Sequence, residues 1–361
     1  MSSISTVLNS TVLLRVGYDL PNLEDTARIE DSLGTLKQLL NQGNKLVLMT
    51  KWGRPKGPEA ELSTQKLIPI LESLIREKVL YLDQYESFEN AKIQIQTSEN
   101  RLFLLENLYF NPAEQSKTAT ERLELAQKYA SLGDNFVDEC FISSHRKDST
   151  NTEIKELLPS FLGLGYTSEV QELDRLRSNP QRPFKVVMAG SKLETKLDLI
   201  TQIIPKADQI LLGGLLCFTF IEAKKRLGQS DLPDLKKSPV EENFLETATE
   251  LLLKYPGKIL TPMDLVFEGD FAKDIGPKSL EFYKSSLADS KTIFWNGTLG
   301  QYEQKPFDKG TTELASYVVS LKNCFKVIGG GDTNASLPPE ILAGFDFVSM
   351  GGGATLEYLS R

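Results

Sequence analysis

The chain has 361 residues, 41 Lys and Arg against 49 Asp and Glu, one His, three Cys and an apolar fraction of 40%, the make-up of a globular protein of two domains, each with its own core. A formal charge of −8 argues against a broad phosphate-backbone footprint, so no nucleic-acid partner is expected. A single imidazole excludes multi-His zinc sites and paired-histidine schemes, so any chemistry is expected to work through Lys, Arg, carboxylates, backbone amides or a borrowed metal.

The stretch MSSISTVLNSTVLLRV has neither a charged n-region nor a long apolar core, and no segment reaches the ~20 apolar residues of a membrane span. A cytoplasmic protein with no membrane partner is expected. Cys140, Cys217 and Cys324 are odd in number, far apart and set among apolar residues, which points to buried free thiols.

In chain order, apolar strands are expected at 11–16 (TVLLRV), 45–50 (KLVLMT), 101–107 (RLFLLEN) and 135–141 (NFVDECF), with helical spacing at 32–41 and 118–132. A helix at 168–178 runs into SNPQRP, a helix stop and proline-set restart that marks the join between halves. The second half repeats the rhythm with strands at 184–190, 209–214, 258–264, 291–297, 325–331 and 345–353. The fold class is therefore α/β, with two doubly wound parallel-sheet domains in tandem.

Strands of the second half end in glycine: Gly190, Gly213-Gly214, Gly297, Gly329-Gly330-Gly331 and Gly351-Gly352-Gly353. At average glycine usage a chain this long would hold about 0.1 Gly-Gly-Gly triplets; this one has two, each after an apolar strand. Ligands of open α/β sheets sit outside the carboxyl ends of the strands, and glycine lets backbone N–H groups approach an anion there. Neither Gly-x-x-x-x-Gly-Lys-Ser/Thr nor a strand followed by Gly-x-Gly-x-x-Gly occurs, which counts against a dinucleotide-binding dehydrogenase.

The motifs TVLLRVGYDLP, Ala27-Arg28-Ile29, KLVLMTKWGRPKG, LLENLYFNP, ASLGDNFVDECFISSHR, AGSKLETK, ILLGGLLCFTF, DIGPKS, IFWNGTLGQYE, VIGGGDTNAS and VSMGGGATLEYL resemble, in sequence and in order, those of the phosphoglycerate kinase family, from about residue 11 to residue 359. The resemblance implies two domains facing across a hinge cleft. Residues 1–165 would hold 3-phosphoglycerate or 1,3-bisphosphoglycerate, 166–182 would link the halves, 183–349 would hold ATP or ADP with Mg2+, and 350–361 would lie at the hinge. A monomer catalysing the glycolytic phosphoryl transfer is expected, with a shortened return segment after the last motif. The alternative is a paralogue of the same fold with an altered acid substrate or lost activity, acting as a nucleotide-binding or regulatory protein.

By that resemblance the acid substrate would meet Asp19, Arg28, Lys51, Arg54, Tyr109 and Arg146, with Arg28 also reaching the transferring phosphoryl, and His145 would be a structural contact rather than a base. The departures fall in this pocket. Gly17 stands where an Asp is usual, Asp19 where an Asn is, Lys51 where a His is and Tyr109 where an Arg is. Residues two apart on a strand share a face, so the carboxylate is expected to have moved by one pleat. Such a pocket is compatible with weakened 3-phosphoglycerate binding, with a related phosphorylated acid, or with a compensated normal site.

The nucleotide would meet Gly190, Ser191, Lys192, Lys196, Gly214, Asn296, Glu303, Gly330, Gly331, Asp332 and Thr333. Lys192 is expected to carry the charge that faces the transferring phosphoryl, and Asp332 to hold the magnesium. Gly331, Gly351 and Gly353 would present backbone amides to the group in flight. Leu215 replaces a glycine and Met350 a threonine of the family pattern.

Overall fold

The computed structural model describes residues 3–191, 193–229 and 231–361. The chain divides into two units, Met1–Val170 and Gln171–Arg361, and the division falls within the helix Leu164–Ser178, which begins four residues before the helical spacing at 168–178.

The first unit holds six parallel strands: β1 (Thr11–Arg15), β2 (Lys45–Met49), β3 (Val79–Leu82), β4 (Leu102–Leu105), β5 (Asn135–Asp138) and β6 (Ser160–Leu162), in the order β3-β4-β2-β1-β5-β6. Its strands are continuous apolar runs because both faces are covered. Val12, Leu14, Leu46 and Leu48 pack under the helix Ala27–Asn41 through Leu36 and Leu39. Leu13, Val47, Phe103 and Phe136 pack on the other face with Leu125 and Tyr129 of the helix Ala119–Ala130. Each such side chain, fully removed from water, contributes about 1.5–3 kcal/mol. The helix Ala27–Asn41 stops at Gln42, and Gly43 at φ +80° turns the chain back toward β2.

The second unit holds β7 (Phe184–Met188), β8 (Gln209–Leu212), β9 (Ile259–Leu260), β10 (Leu265–Glu268), β11 (Phe271–Ile275), β12 (Thr292–Asn296), β13 (Phe325–Gly329) and β14 (Phe347–Ser349). Six of them form a parallel sheet in the order β14-β13-β12-β7-β8-β9, and β10 and β11 form a separate antiparallel hairpin. The run at 258–264 yields only the two residues of the edge strand β9, because Pro262 lacks the amide that would carry its pairing with β8 further. The hairpin, β3, β6 and most of the helices, among them Ile68–Ile75, Phe88–Thr97, Leu193–Ile203, Leu216–Arg226, Leu245–Lys254, Pro277–Leu287 and Lys309–Ser320, are additions to the elements placed from the sequence.

Chain direction across each sheet reverses once. β1 leads to β2 on one side and its neighbour β5 leads to β6 on the other; β7 leads to β8 and its neighbour β12 to β13 in the same manner. Crevices open beyond the carboxyl ends of strands at such switch points. No helix among the described residues is long and apolar enough to cross a membrane.

Candidate active site

In the first unit the loops after β1, β2, β4 and β5 bring five of the six expected acid-site residues into one connected cluster. The Asp19 carboxylate accepts the Gly53 amide at 2.7 Å and pairs with the Lys51 ammonium, while the Asp19 carbonyl accepts Arg28 Nη1. Lys51 lies 5.4 Å from the centre of the Tyr109 ring. The Tyr109 hydroxyl accepts from Arg146 Nη1 at 3.0 Å and donates to Asp148 Oδ2 at 3.1 Å. Arg54 is exposed on the same loop as Gly53.

The carboxylate has not moved by one pleat. β1 ends at Arg15, so Gly17 and Asp19 lie beyond it in coil and are not strand neighbours. A side chain on Gly17 would begin 3.2 Å from Ile142 Cγ2 and 3.4 Å from Cys140 Sγ, so the space a larger residue would use is filled from the β5 loop. Asp19 answers the Lys51 charge directly, which trims the expected field of four cations. Burial pushes the Lys51 ammonium below its ordinary range, with Arg146 acting the same way and Asp19 opposing. Burial first, and then Asp148, push the Tyr109 phenol well up, against Arg146 and Arg15, so it remains a donor throughout the physiological range.

Behind this cluster stands a polar file that motif reasoning missed. Arg15, Glu114, Asp148 and Thr150 are all buried. Arg15 donates to Asp148 Oδ2 at 3.1 Å and to Thr150 Oγ1 at 3.0 Å, and Thr150 donates to Glu114. Its signal in the sequence is the lone arginine of TVLLRV, a charge inside a strand buried on both faces.

In the second unit the turns after β7, β8, β12 and β13 interlock. Ala189 donates to Asn296 O at 2.8 Å, Gly214 to Leu299 O at 2.9 Å and Leu216 to Gly190 O at 3.2 Å. Gly214 has φ +61° and Gly297 φ +96°; a Cβ on Gly214 would stand 2.5 Å from Gly190 N, and one on Gly297 would stand 2.5 Å from Lys196 Nζ. Both positions therefore need glycine. Lys196 is buried, and its ammonium donates to the Ala189 carbonyl at the end of β7. Lys192 lies outside the described residues.

Asn296 and Thr333 act as internal clamps. Asn296 Nδ2 donates to Gly329 O at 2.7 Å, and the Gly297 amide donates to Thr333 Oγ1 at 2.7 Å, so the Thr333 oxygen is engaged by protein. Gly330, at φ +118°, precedes the short helix Gly331–Ala335, on which Gly331 and Asp332 are exposed. Ser191, Glu303 and Gly353 are exposed as well, whereas Gly351 is buried with its amide donating to Ser349 Oγ at 3.3 Å. Leu215 is exposed, and Met350 offers its sulfur to Asn334 Nδ2 at 3.8 Å. No group of three or more His, Cys, Asp or Glu suited to a metal occurs among the described residues.

Comparisons with known proteins agree across the length of the chain. Residues 2–361 match the family described as Phosphoglycerate kinase. The chain is 34% identical to the phosphoglycerate kinase of Mesomycoplasma hyopneumoniae (strain 232), with 98% of this chain and 93% of that one covered. It is 36% identical to that of Fervidobacterium nodosum, with 96% and 92% covered. Among solved structures, the phosphoglycerate kinase of Coxiella burnetii matches with a TM-score of 0.83 at 27% identity over 99% of this chain and 96% of that one. That of Pyrococcus horikoshii OT3 matches with a TM-score of 0.83 at 26% identity, over 98% and 94%. Strand order, glycine turns, cationic cluster and these likenesses converge, and the chain belongs to the phosphoglycerate kinase family.

Proposed function

We propose that the chain catalyses reversible phosphoryl transfer between 1,3-bisphosphoglycerate and ADP, giving 3-phosphoglycerate and ATP, the glycolytic step of its family. The observation that carries this reading is the cluster of Arg28, Lys51 and Arg146 around Asp19 and Tyr109 at the switch point of the first sheet. A carboxylate acceptor is already ionised at neutral pH, so the reaction needs no base and a chain with one histidine can perform it. What it needs is positioning of two polyanions and positive charge on the phosphoryl as it flattens.

Arg28, Lys51, Arg54 and Arg146 would hold the phosphate and carboxylate of the acid, with Asp19 and Tyr109 orienting them. Arg28 and Lys192 would face the transferring group, and the amides of Gly331 and Gly353 would stabilise it. Gly351 joins that set once its amide leaves Ser349. Gly190, Ser191, Lys196, Gly214, Asn296, Gly330 and Thr333 would shape the nucleotide site, with Glu303 at the ribose. Asp332, a single exposed carboxylate, fits a magnesium ion that arrives on the nucleotide, since Mg2+ is commonly held by one or two carboxylates together with substrate phosphates. Buried free thiols at Cys140, Cys217 and Cys324 suit the reducing cytoplasm. Both ligand sets lie in one chain, which suits a monomer.

Purified protein with Mg-ATP and 3-phosphoglycerate is expected to consume ATP in a coupled assay; no turnover beside intact nucleotide binding would overturn the assignment. Lys192→Ala is expected to lower kcat about a hundredfold while nucleotide affinity changes far less. A kcat equal to wild type would remove Lys192 from its role.

A further inference from the structure

The substrate-facing arginine of the first unit is not held by a carboxylate directly. Arg146 Nη1 donates to the Tyr109 oxygen at 3.0 Å, and that same hydroxyl gives its proton to Asp148 Oδ2 at 3.1 Å. A phenol that both donates and accepts has a fixed direction: with Asp148 taking the proton, the oxygen turns a lone pair toward the guanidinium. We propose that Asp148, held from behind by Arg15, is a positioning residue that aims Arg146 at the acid substrate through the Tyr109 hydroxyl. This rests on the function proposed above and assigns to Asp148 a part that none of the expected site residues plays.

The surroundings single out Asp148 as the anchor. Arg15 donates to Asp148 Oδ2 at 3.1 Å, and both side chains are buried. Two other carboxylates stand near Arg15. Asp138 is held by Lys155 at 2.7 Å. Glu114 is fully buried, which pushes its carboxyl up to about 8, so at neutral pH it is mostly uncharged and Asp148 is left as the partner of the Arg15 charge. The backbone fixes Asp148 too, because its carbonyl accepts the amides of Asn151 and Thr152, both at 2.9 Å. The links from Arg15 through Asp148 and Tyr109 to Arg146 are all made, which stiffens the chain between them, while Arg15 Nη1 and Arg146 Nε are buried without a hydrogen-bond partner among the described residues. Tyr109 supplies a link of defined length between a fixed anion and a guanidinium that must face substrate.

A double-mutant cycle tests the proposal, read as 3-phosphoglycerate affinity by calorimetry, with nucleotide affinity as a check on the second unit and the coupled assay run beside it. Tyr109→Phe and Asp148→Asn are each expected to weaken 3-phosphoglycerate binding about tenfold. The double variant should lose no more than either single one, because both substitutions cut the same file. Nucleotide affinity should stay within about twofold of wild type. A merely structural role for Asp148 would lower the melting temperature without changing acid affinity in the folded protein. Unchanged acid affinity in either variant, or losses that multiply in the double, overturns the proposal. If Asp148→Asn does not fold, Tyr109→Phe decides alone, since it removes only the hydroxyl, and wild-type affinity in it overturns the proposal. A wild type that binds 3-phosphoglycerate without turnover sinks the proposed function but leaves the cycle readable; one that neither binds nor turns it over sinks both.

Discussion

Arg28→Ala is expected to lower kcat about a thousandfold while the KM for nucleotide stays within about twofold, since an arginine that meets the transferring phosphoryl is typically worth 10³ or more in rate. Arg28 stands at the start of the helix Ala27–Asn41, and its Nη1 donates back to the Asp19 carbonyl. Asp19 is itself fixed by Gly53 and Lys51, so the guanidinium is tethered before any ligand arrives, and a preorganised cation stabilises charge without reorganising at the moment of transfer. Arg28→Lys is expected to recover only part of the rate, because an ammonium lacks the planar fork that matches phosphate oxygens. Steady-state kinetics at saturating nucleotide measures both. An Arg28→Ala enzyme within about threefold of the wild-type kcat would show that the transferring group is met by other residues.

The doubly wound architecture was legible because fully buried parallel strands read as unbroken apolar runs, and the glycines at 190, 213–214, 297, 330 and 351–352 lie where the chain leaves the carboxyl ends of β7, β8, β12, β13 and β14. β3 was not, since only three residues separate Val79–Leu82 from the end of the apolar helix Ile68–Ile75 and its run reads as a continuation of that helix. The β10–β11 hairpin was missed as well, since its two-residue turn at Gly269 and Asp270 follows strands whose polar residues blur the period of two. Within the site, residue identities were readable from motifs but pairings were not. The replacement of an amide by Asp19 was visible, yet its partner Lys51 is 32 residues away and meets it only through the loop after β2. Arg15 and Asp148 lie 133 residues apart; nothing local marks Asp148 as the counter-ion. The clamps made by Thr333 and Asn296 were hidden for the same reason, because a hydroxyl or amide in a glycine-rich turn looks alike whether it faces a ligand or a neighbouring turn.

Raising the pH from about 5 to about 8 is expected to destabilise the folded chain, and Glu114→Gln to remove a large part of that loss. In the unfolded chain the Glu114 carboxyl ionises near 4.5; in the fold, burial pushes it up to about 8, aided by Asp148 and opposed by Thr150 and Arg15. Between those values the native state binds the proton and the unfolded state does not, so stability falls as pH rises. The contribution of this group is fully present below about 4.5 and is lost by about 8. Burial moves Glu139 and Asp274 the same way, each to about 7, so their contributions are gone about one pH unit earlier. Glu106 and Glu153 work in the opposite sense. Burial pushes each up, but hydrogen bonds from Ser63, Thr64, Asn107 and Tyr81 to Glu106, and from Arg122 and Thr152 to Glu153, hold them below the ordinary range. Their stabilisation is present above about 4.5 and is lost on further acidification, which puts the stability maximum near pH 5. At about 1.4 kcal/mol per pH unit of differential binding, Glu114 alone accounts for about 3 kcal/mol of the fall between pH 5 and pH 8. Urea unfolding at the two pH values measures it: the difference in unfolding free energy should shrink by about that amount in Glu114→Gln at an unchanged m-value, whereas equal pH slopes in the two proteins would mean that Glu114 is ionised in the fold at neutral pH and that Arg15 divides its charge between two carboxylates.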